Sequence, residues 1–133
     1  MTTEMKLPEG APEEVITNAL VRDVDLTPFG HKGSLALITL DNGLDHNRPN
    51  TFGPQSLSAL DAAITDAIGR APAAIAITGK PFIFAAGADL SALSFLAKRE
   101  QSLAIGKLGH DVFRRFDECW NSTFIKSTEY IVA

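Results

Sequence analysis

Cysteine, tryptophan and tyrosine each occur once in the chain, as Cys119, Trp120 and Tyr130. A single cysteine excludes an internal disulfide framework, and it fits a reducing compartment. Positive charge is also scarce. Twelve Lys and Arg stand against sixteen Asp and Glu, a net charge of -4. The densest basic spots are Lys98-Arg99 and Arg114-Arg115, so a phosphate-tracking surface for nucleic acid is not expected. No run approaches the roughly 18 apolar residues that a membrane helix needs. The first residues, MTTEMKLPEGAPEE, are polar and acidic, without the basic start and apolar stretch of a secretory leader. These absences lead to the expectation of a soluble, cytoplasmic protein. The 45% apolar and 21% charged composition is that of a globular domain, and 133 residues suffice for one small core.

The pattern along the chain alternates strand and helix. Residues 1–13 hold Pro8, Gly10 and Pro12 and read as a flexible N-terminal arm. EVITNALVRDV is rich in β-branched residues and predicts a first strand. DLTPFGHKG predicts a turn. SLALITL and AAIAIT are short and almost wholly apolar, as strands buried on both faces are. Gly53-Pro54 opens a helix whose Leu57, Leu60, Ile64, Ala67 and Ile68 share one face; Gly69 is placed to end it. FIFA predicts a further strand in the same sheet. A helix is expected from about Asp89 through Lys98, and another from near Glu100 with Leu108, Val112 and Phe116 on one stripe. The fold class is α/β, built of strand-strand-helix units, with the domain spanning 14–118 and an atypical tail at 119–133.

The stretch PFIFAAGADL, Pro81 to Leu90, runs from an apolar segment into small residues and an aspartate. Gly87 permits a turn that a Cβ would obstruct. If a helix starts just after it, the amides near Ala88 and Asp89 are unpaired donors, suited to hold a developing oxyanion. The small side chains of Ala85, Ala86 and Ala88 let a bulky ligand approach the backbone. The competing reading is an ordinary strand-to-helix junction with Asp89 as its N-cap.

FIFAAGADL resembles the signature of the crotonase superfamily, the enoyl-CoA hydratases and isomerases. ALITLDNGLDHNRPNTFGPQSLSALDAAI is similar to that family's early strand, Asn-Arg-Pro loop and long helix. The likeness covers about Leu35 to Asp117, and in detail it is closest to the hydratase part of the multifunctional fatty-acid oxidation α subunit, in which a 3-hydroxyacyl-CoA dehydrogenase follows. The resemblance implies the N-terminal portion of a crotonase-like fold that binds an acyl-CoA thioester in fatty-acid β-oxidation. It implies the Ala88 N–H as an oxyanion-hole donor, with Ala86, Gly87, Asp89 and Leu90, and the loop residues Asn47 and Arg48, near coenzyme A. Coenzyme A would be part of the substrate; no permanently bound cofactor and no metal are implied. Family members form homo-oligomers.

Two features depart from the family. Gly53-Pro54 stands where an Asn-Ala pair is usual. The glycine-rich block with the second oxyanion donor and the acid/base glutamates does not follow; CWNSTFIKSTEYIVA follows instead. A truncated, interrupted or out-of-frame product and a lineage-specific ending are both open. Two functional classes are open as well, a hydratase-derived chain and a non-catalytic acyl-CoA binder, assembly module or inactive remnant. His31, His46 and His110 lack metal-ligand spacing and are assigned solvent or capping roles. Asp45-His46 reads as a turn, Asp111 and Glu118 as a solvated helix face, Gly106 and Gly109 as close helix packing, and Cys119 as an inert thiol.

Overall fold

A computed structural model describes residues 9, 10, 12–91 and 99–119, and the backbone of 129–132. Four strands form one mixed sheet in the order β1 (Asn18–Asp25), β2 (Ser34–Asp41), β3 (Ala74–Thr78) and β4 (Glu129–Val132). β1 and β2 are antiparallel, and β2, β3 and β4 are mutually parallel neighbours. The β1–β2 connection is a single 3-10 turn, Thr27–Phe29, started by Pro28 and closed by Gly30 at φ 82°, a left-handed conformation that glycine adopts without a Cβ penalty. β2 and β3 are joined through helix α1 (Pro54–Gly69), as parallel neighbours require a crossover. Helix α2 (Arg99–Glu118) lies against α1. The chain is thus a small α/β fold.

The core forms where the apolar periodicities meet. Ala36, Ile38 and Leu40 from β2 and Ile75 and Ile77 from β3 are buried with Leu57, Leu60, Ile64 and Ala67 of α1. Ile68 packs at the margin of this cluster. The α2 stripe follows the expectation: Val112 and Phe116 are buried and Leu108 packs against them. Arg115 ties the two helices together through the Asp61 carboxylate and through Thr65 Oγ1 at 2.8 Å.

The first strand starts later than EVITNALVRDV suggests, because Glu14 and Thr17 are taken by α1. The Glu14 carboxylate accepts hydrogen bonds from the N–H groups of Gln55 and Ser56 and from Ser56 Oγ, at 2.8–3.0 Å. Thr17 donates its amide to Ser56 Oγ and its hydroxyl to Thr51 O. The first turn of a helix has free amides and favours negative charge, so Glu14 acts as a cap supplied from a distant part of the chain. A Cβ on Gly53 would lie 2.5 Å from Glu14 Cδ, so Gly53 makes room for this carboxylate.

FIFA is not a strand of the sheet. Pro81 has no N–H to give to a ladder, Ile83 N closes a turn onto Lys80 O at 3.1 Å, and Phe82 takes φ 69°. Gly79 lies so close to the returning chain that a Cβ on it would be 2.6 Å from Phe84 Cα. The segment therefore folds back at the end of β3 instead of extending it. The expected helix from Asp89 to Lys98 falls largely on 92–98, outside the described residues; Asp89 and Leu90 themselves are not helical. Of the tail, Glu129–Val132 pairs with β3, and residues 120–128 lie outside the described residues.

Replacing Glu14 with Ala should destabilise the fold by about 1–2 kcal/mol, the range for losing a helix cap. Urea unfolding of the two proteins measures this directly; an unchanged midpoint would show that Glu14 does not carry the cap.

Candidate functional site

The segment that leaves the sheet pairs instead with the loop before α1. Ala86 N donates to Asn50 O at 2.8 Å, Phe52 N to Gly87 O at 2.9 Å and Asp89 N to Phe52 O at 3.0 Å. Phe52 and Ala88 thus form a parallel bridge. In such a bridge the residues flanking Ala88 bond across to Phe52, while the N–H and C=O of Ala88 point to the other side. No backbone acceptor takes the Ala88 N–H among the described residues.

The side chain of Asn50 holds this arrangement from within. It is fully buried. Its Nδ2 donates to Leu40 O at 3.0 Å and to Phe84 O at 2.9 Å, and its Oδ1 accepts from Asn42 N at 3.0 Å. The end of β2, the Asn42–Asn50 loop and the start of the Phe84–Ala88 segment are therefore joined by one carboxamide. Lys80 braces the same loop. Its three N–H donors are shared among Asn42 Oδ1, Leu44 O, Asp45 O and Arg48 O, which lie 2.6–3.0 Å from Nζ.

Beside Ala88 lies a cleft of about 710 Å³. One wall is Phe52, Phe84, Ala85, Gly87 and Ala88; the other is α2, through Ile105, Gly106, Gly109, His110, Phe113, Arg114 and Asp117. Phe52 and Phe113 meet edge to face, with centroids 5.4 Å apart at 89°, a favoured aromatic geometry. The cleft is largely apolar, and among the described residues its ionisable side chains all come from α2.

The residues singled out in the sequence fall in three places. Gly87 and Ala88 line the cleft and, with Ala86, are exposed. Gly87 takes φ 94°, a conformation that favours glycine, although a Cβ there would meet no neighbour within 4 Å, so the expected obstruction is not what selects it. Asp89 Oδ1 accepts from Ser91 N at 2.9 Å and Ser91 Oγ at 2.7 Å, a local turn of the kind that aspartate makes at chain reversals; Leu90 is 67% exposed. Asn47 and Arg48 are exposed in the loop braced by Lys80, and neither lines the cleft. Asp45 Oδ1 accepts from Asn47 N, so Asp45-His46 is a turn, as its sequence suggests. His110 is placed on the cleft wall rather than in a solvent or capping role alone. Its distance in sequence from PFIFAAGADL hid this, although Gly106, His110, Phe113 and Asp117 form a second helical stripe beside Leu108, Val112 and Phe116. Asn50 and Lys80 carry no comparable signal, since a buried loop asparagine looks like any other in sequence. Among the described residues no cluster of three or more His, Cys, Asp or Glu could hold a metal ion, and no helix is long and apolar enough to cross a membrane.

Comparison with known proteins places the chain at the level of fold. No protein-family profile matches the sequence, and no curated protein does. Two solved structures of DspI from Pseudomonas aeruginosa are similar. One superposes with a TM-score of 0.61 at 18% identity, over 93% of this chain and 44% of that one. The other gives 0.57 at 20% identity, over 92% of this chain and 40% of that one. The chain thus spans less than half the length of these neighbours, and the likeness is one of α/β architecture.

Two outcomes follow from the site's internal chemistry. Asn50→Ala strands the Leu40 and Phe84 carbonyls and the Asn42 amide, and should cost about 2–4 kcal/mol; hydrogen exchange should then accelerate at Phe52 and Asp89 before the rest of β2. Uniform acceleration across the sheet would contradict the local role of Asn50. Cys119 is buried, and its Sγ donates to Phe116 O. Burial first, then Asp117, pushes its thiol above the ordinary value, with Arg115 opposing. Since the thiolate is the reactive form, alkylation by iodoacetamide at pH 8 should be slow in the folded protein and rapid in urea. Equal rates would show the thiol to be accessible.

Proposed function

We propose that this chain carries the acyl-thioester-binding part of an enoyl-CoA hydratase/isomerase-like protein of fatty-acid β-oxidation, with the Ala88 amide as a donor to the thioester carbonyl. The observation that carries the reading is the direction of that amide. The pairing of Gly87 and Asp89 with Phe52 leaves the Ala88 N–H without a backbone partner among the described residues, at the edge of an apolar cleft. A preorganised donor aimed at a carbonyl that becomes an enolate stabilises the charged state most, because the donor needs no rearrangement as charge develops. Exposed Ala86 and Gly87 beside it present backbone rather than side chain to a ligand, as the resemblance of FIFAAGADL to the crotonase signature leads one to expect. A crotonase-like arrangement of strand-strand-helix units is part of the same proposal. In it the exposed Asn47, Arg48 and Leu90 and the half-buried Asp89 lie towards the coenzyme A portion of the ligand.

Among the described residues no glutamate lines the cleft. Acid/base transfer by a positioned group contributes about 10²–10⁴-fold. The reading therefore assigns these residues binding and carbonyl polarisation rather than turnover, which leaves a non-catalytic acyl-CoA binder as its close variant. The 133-residue protein should bind crotonyl-CoA in calorimetry while hydrating it slowly, if at all, by loss of enoyl absorbance. Ala88→Pro removes the one N–H and spares both Phe52 bonds. It should weaken binding by about tenfold, the worth of one hydrogen bond, with an unchanged circular dichroism spectrum. Undiminished affinity in that variant, or in one with the Ala88 amide replaced by an ester, would rule out the donor role. Rapid hydration by the unaltered chain would overturn the division between binding and turnover.

A further inference from the structure

The α2 wall brings an unusual charge into an otherwise apolar cleft. His110 and Arg114 are one helical turn apart, and both line it. Two other cations of α2 do not line the cleft and are committed elsewhere: Arg115 to Asp61 and Thr65 of α1, and Lys107 to Asp111 at 2.9 Å. Arg114 makes no ion pair or hydrogen bond among the described residues. It and His110 act on Asp111 only electrostatically, after the larger effect of Lys107, and each helps to lower that carboxyl's pKa. Asp117 lines the wall one turn further on. A guanidinium presents five donors in a planar fork that matches a carboxylate or phosphate in two parallel bonds. Apolar walls strengthen such an interaction relative to open solvent.

We propose that Arg114, assisted by His110, binds an anionic group of the cleft's ligand, either a carboxylate at the far end of the acyl chain or a phosphate of its carrier. The identity of that ligand as a thioester rests on the proposed function, whereas the anion site depends only on α2. Two probes separate these claims. Free glutarate and inorganic pyrophosphate, titrated into the full 133-residue chain with nitrogen-15 NMR detection, should shift the Arg114 Nε–H and His110 ring signals. The His110 shift should vanish in Arg114→Gln and partly return in Arg114→Lys. Thioester affinities then identify the source of the charge. If it is an acyl carboxylate, Arg114→Gln weakens glutaryl-CoA by about 10- to 100-fold and leaves butyryl-CoA unaffected. If it is a phosphate, both weaken alike and S-butyryl-N-acetylcysteamine does not. Free-anion shifts at Arg114 without any thioester binding would reject the thioester reading and keep the anion site. Identical anion responses in the unaltered protein and Arg114→Gln would overturn the site itself.

Discussion

The buried carboxamide of Asn50 is the constraint on which the candidate site depends. A side-chain amide has two donors and an acceptor, and here the two donors go to Leu40 O and Phe84 O while Oδ1 accepts from Asn42 N. An asparagine so fully engaged away from water is stable only in one orientation, because any other leaves buried polar groups without partners. That orientation fixes the end of β2, the loop and the Phe84–Ala88 segment relative to one another. The backbone of Asn50 adds the Ala86 bond. Phe52, two residues on, then meets Gly87 and Asp89, and the Ala88 amide is the group left over.

The rest of the fold supplies rigidity around that point. Lys80 closes the preceding loop with bonds to its carbonyl oxygens. Gly79 allows the chain to return close enough for Phe84 to reach Asn50. Glu14 anchors the start of α1 directly after Phe52. α2 is held to α1 by Val112, Phe116 and Arg115, and turns an adjacent stripe towards Ala88. The cleft is thus formed between one wall defined by backbone pairing and one defined by helix packing.

Much of the architecture was legible in the sequence because it follows local periodicity. SLALITL, AAIAIT and the Leu57–Ile68 face are apolar at the spacing of strands and an amphipathic helix, and each forms the predicted element. Only β3 is buried on both faces, however: in β2 Ala36, Ile38 and Leu40 are buried while Leu35 and Leu37 on the other face are half-buried. FIFA misled for a physical reason. Its composition is that of a strand, but Asn50 and Gly79, remote or side-chain-free, decide where its hydrogen bonds go. The glycine at 87 could be read from the need for a turn, whereas the partner of that turn, Phe52, could not. His110 and Arg114 reach the cleft only through the packing of α2 on α1, a long-range contact with no local signature. Glu14 was hidden in the same way, since a carboxylate that caps a helix some forty residues later looks in sequence like part of a β-branched strand.

The most direct test is the Ala88 amide itself, observed by proton–nitrogen correlation NMR. In the free protein its proton should exchange quickly with solvent while those of Phe52 and Asp89 are protected. Adding crotonyl-CoA should move the Ala88 amide proton downfield and slow its exchange, with smaller changes at Phe52 and Asp89. An Ala88 amide that is already protected without ligand, or that is unmoved at saturating crotonyl-CoA, would contradict its assignment as the carbonyl donor.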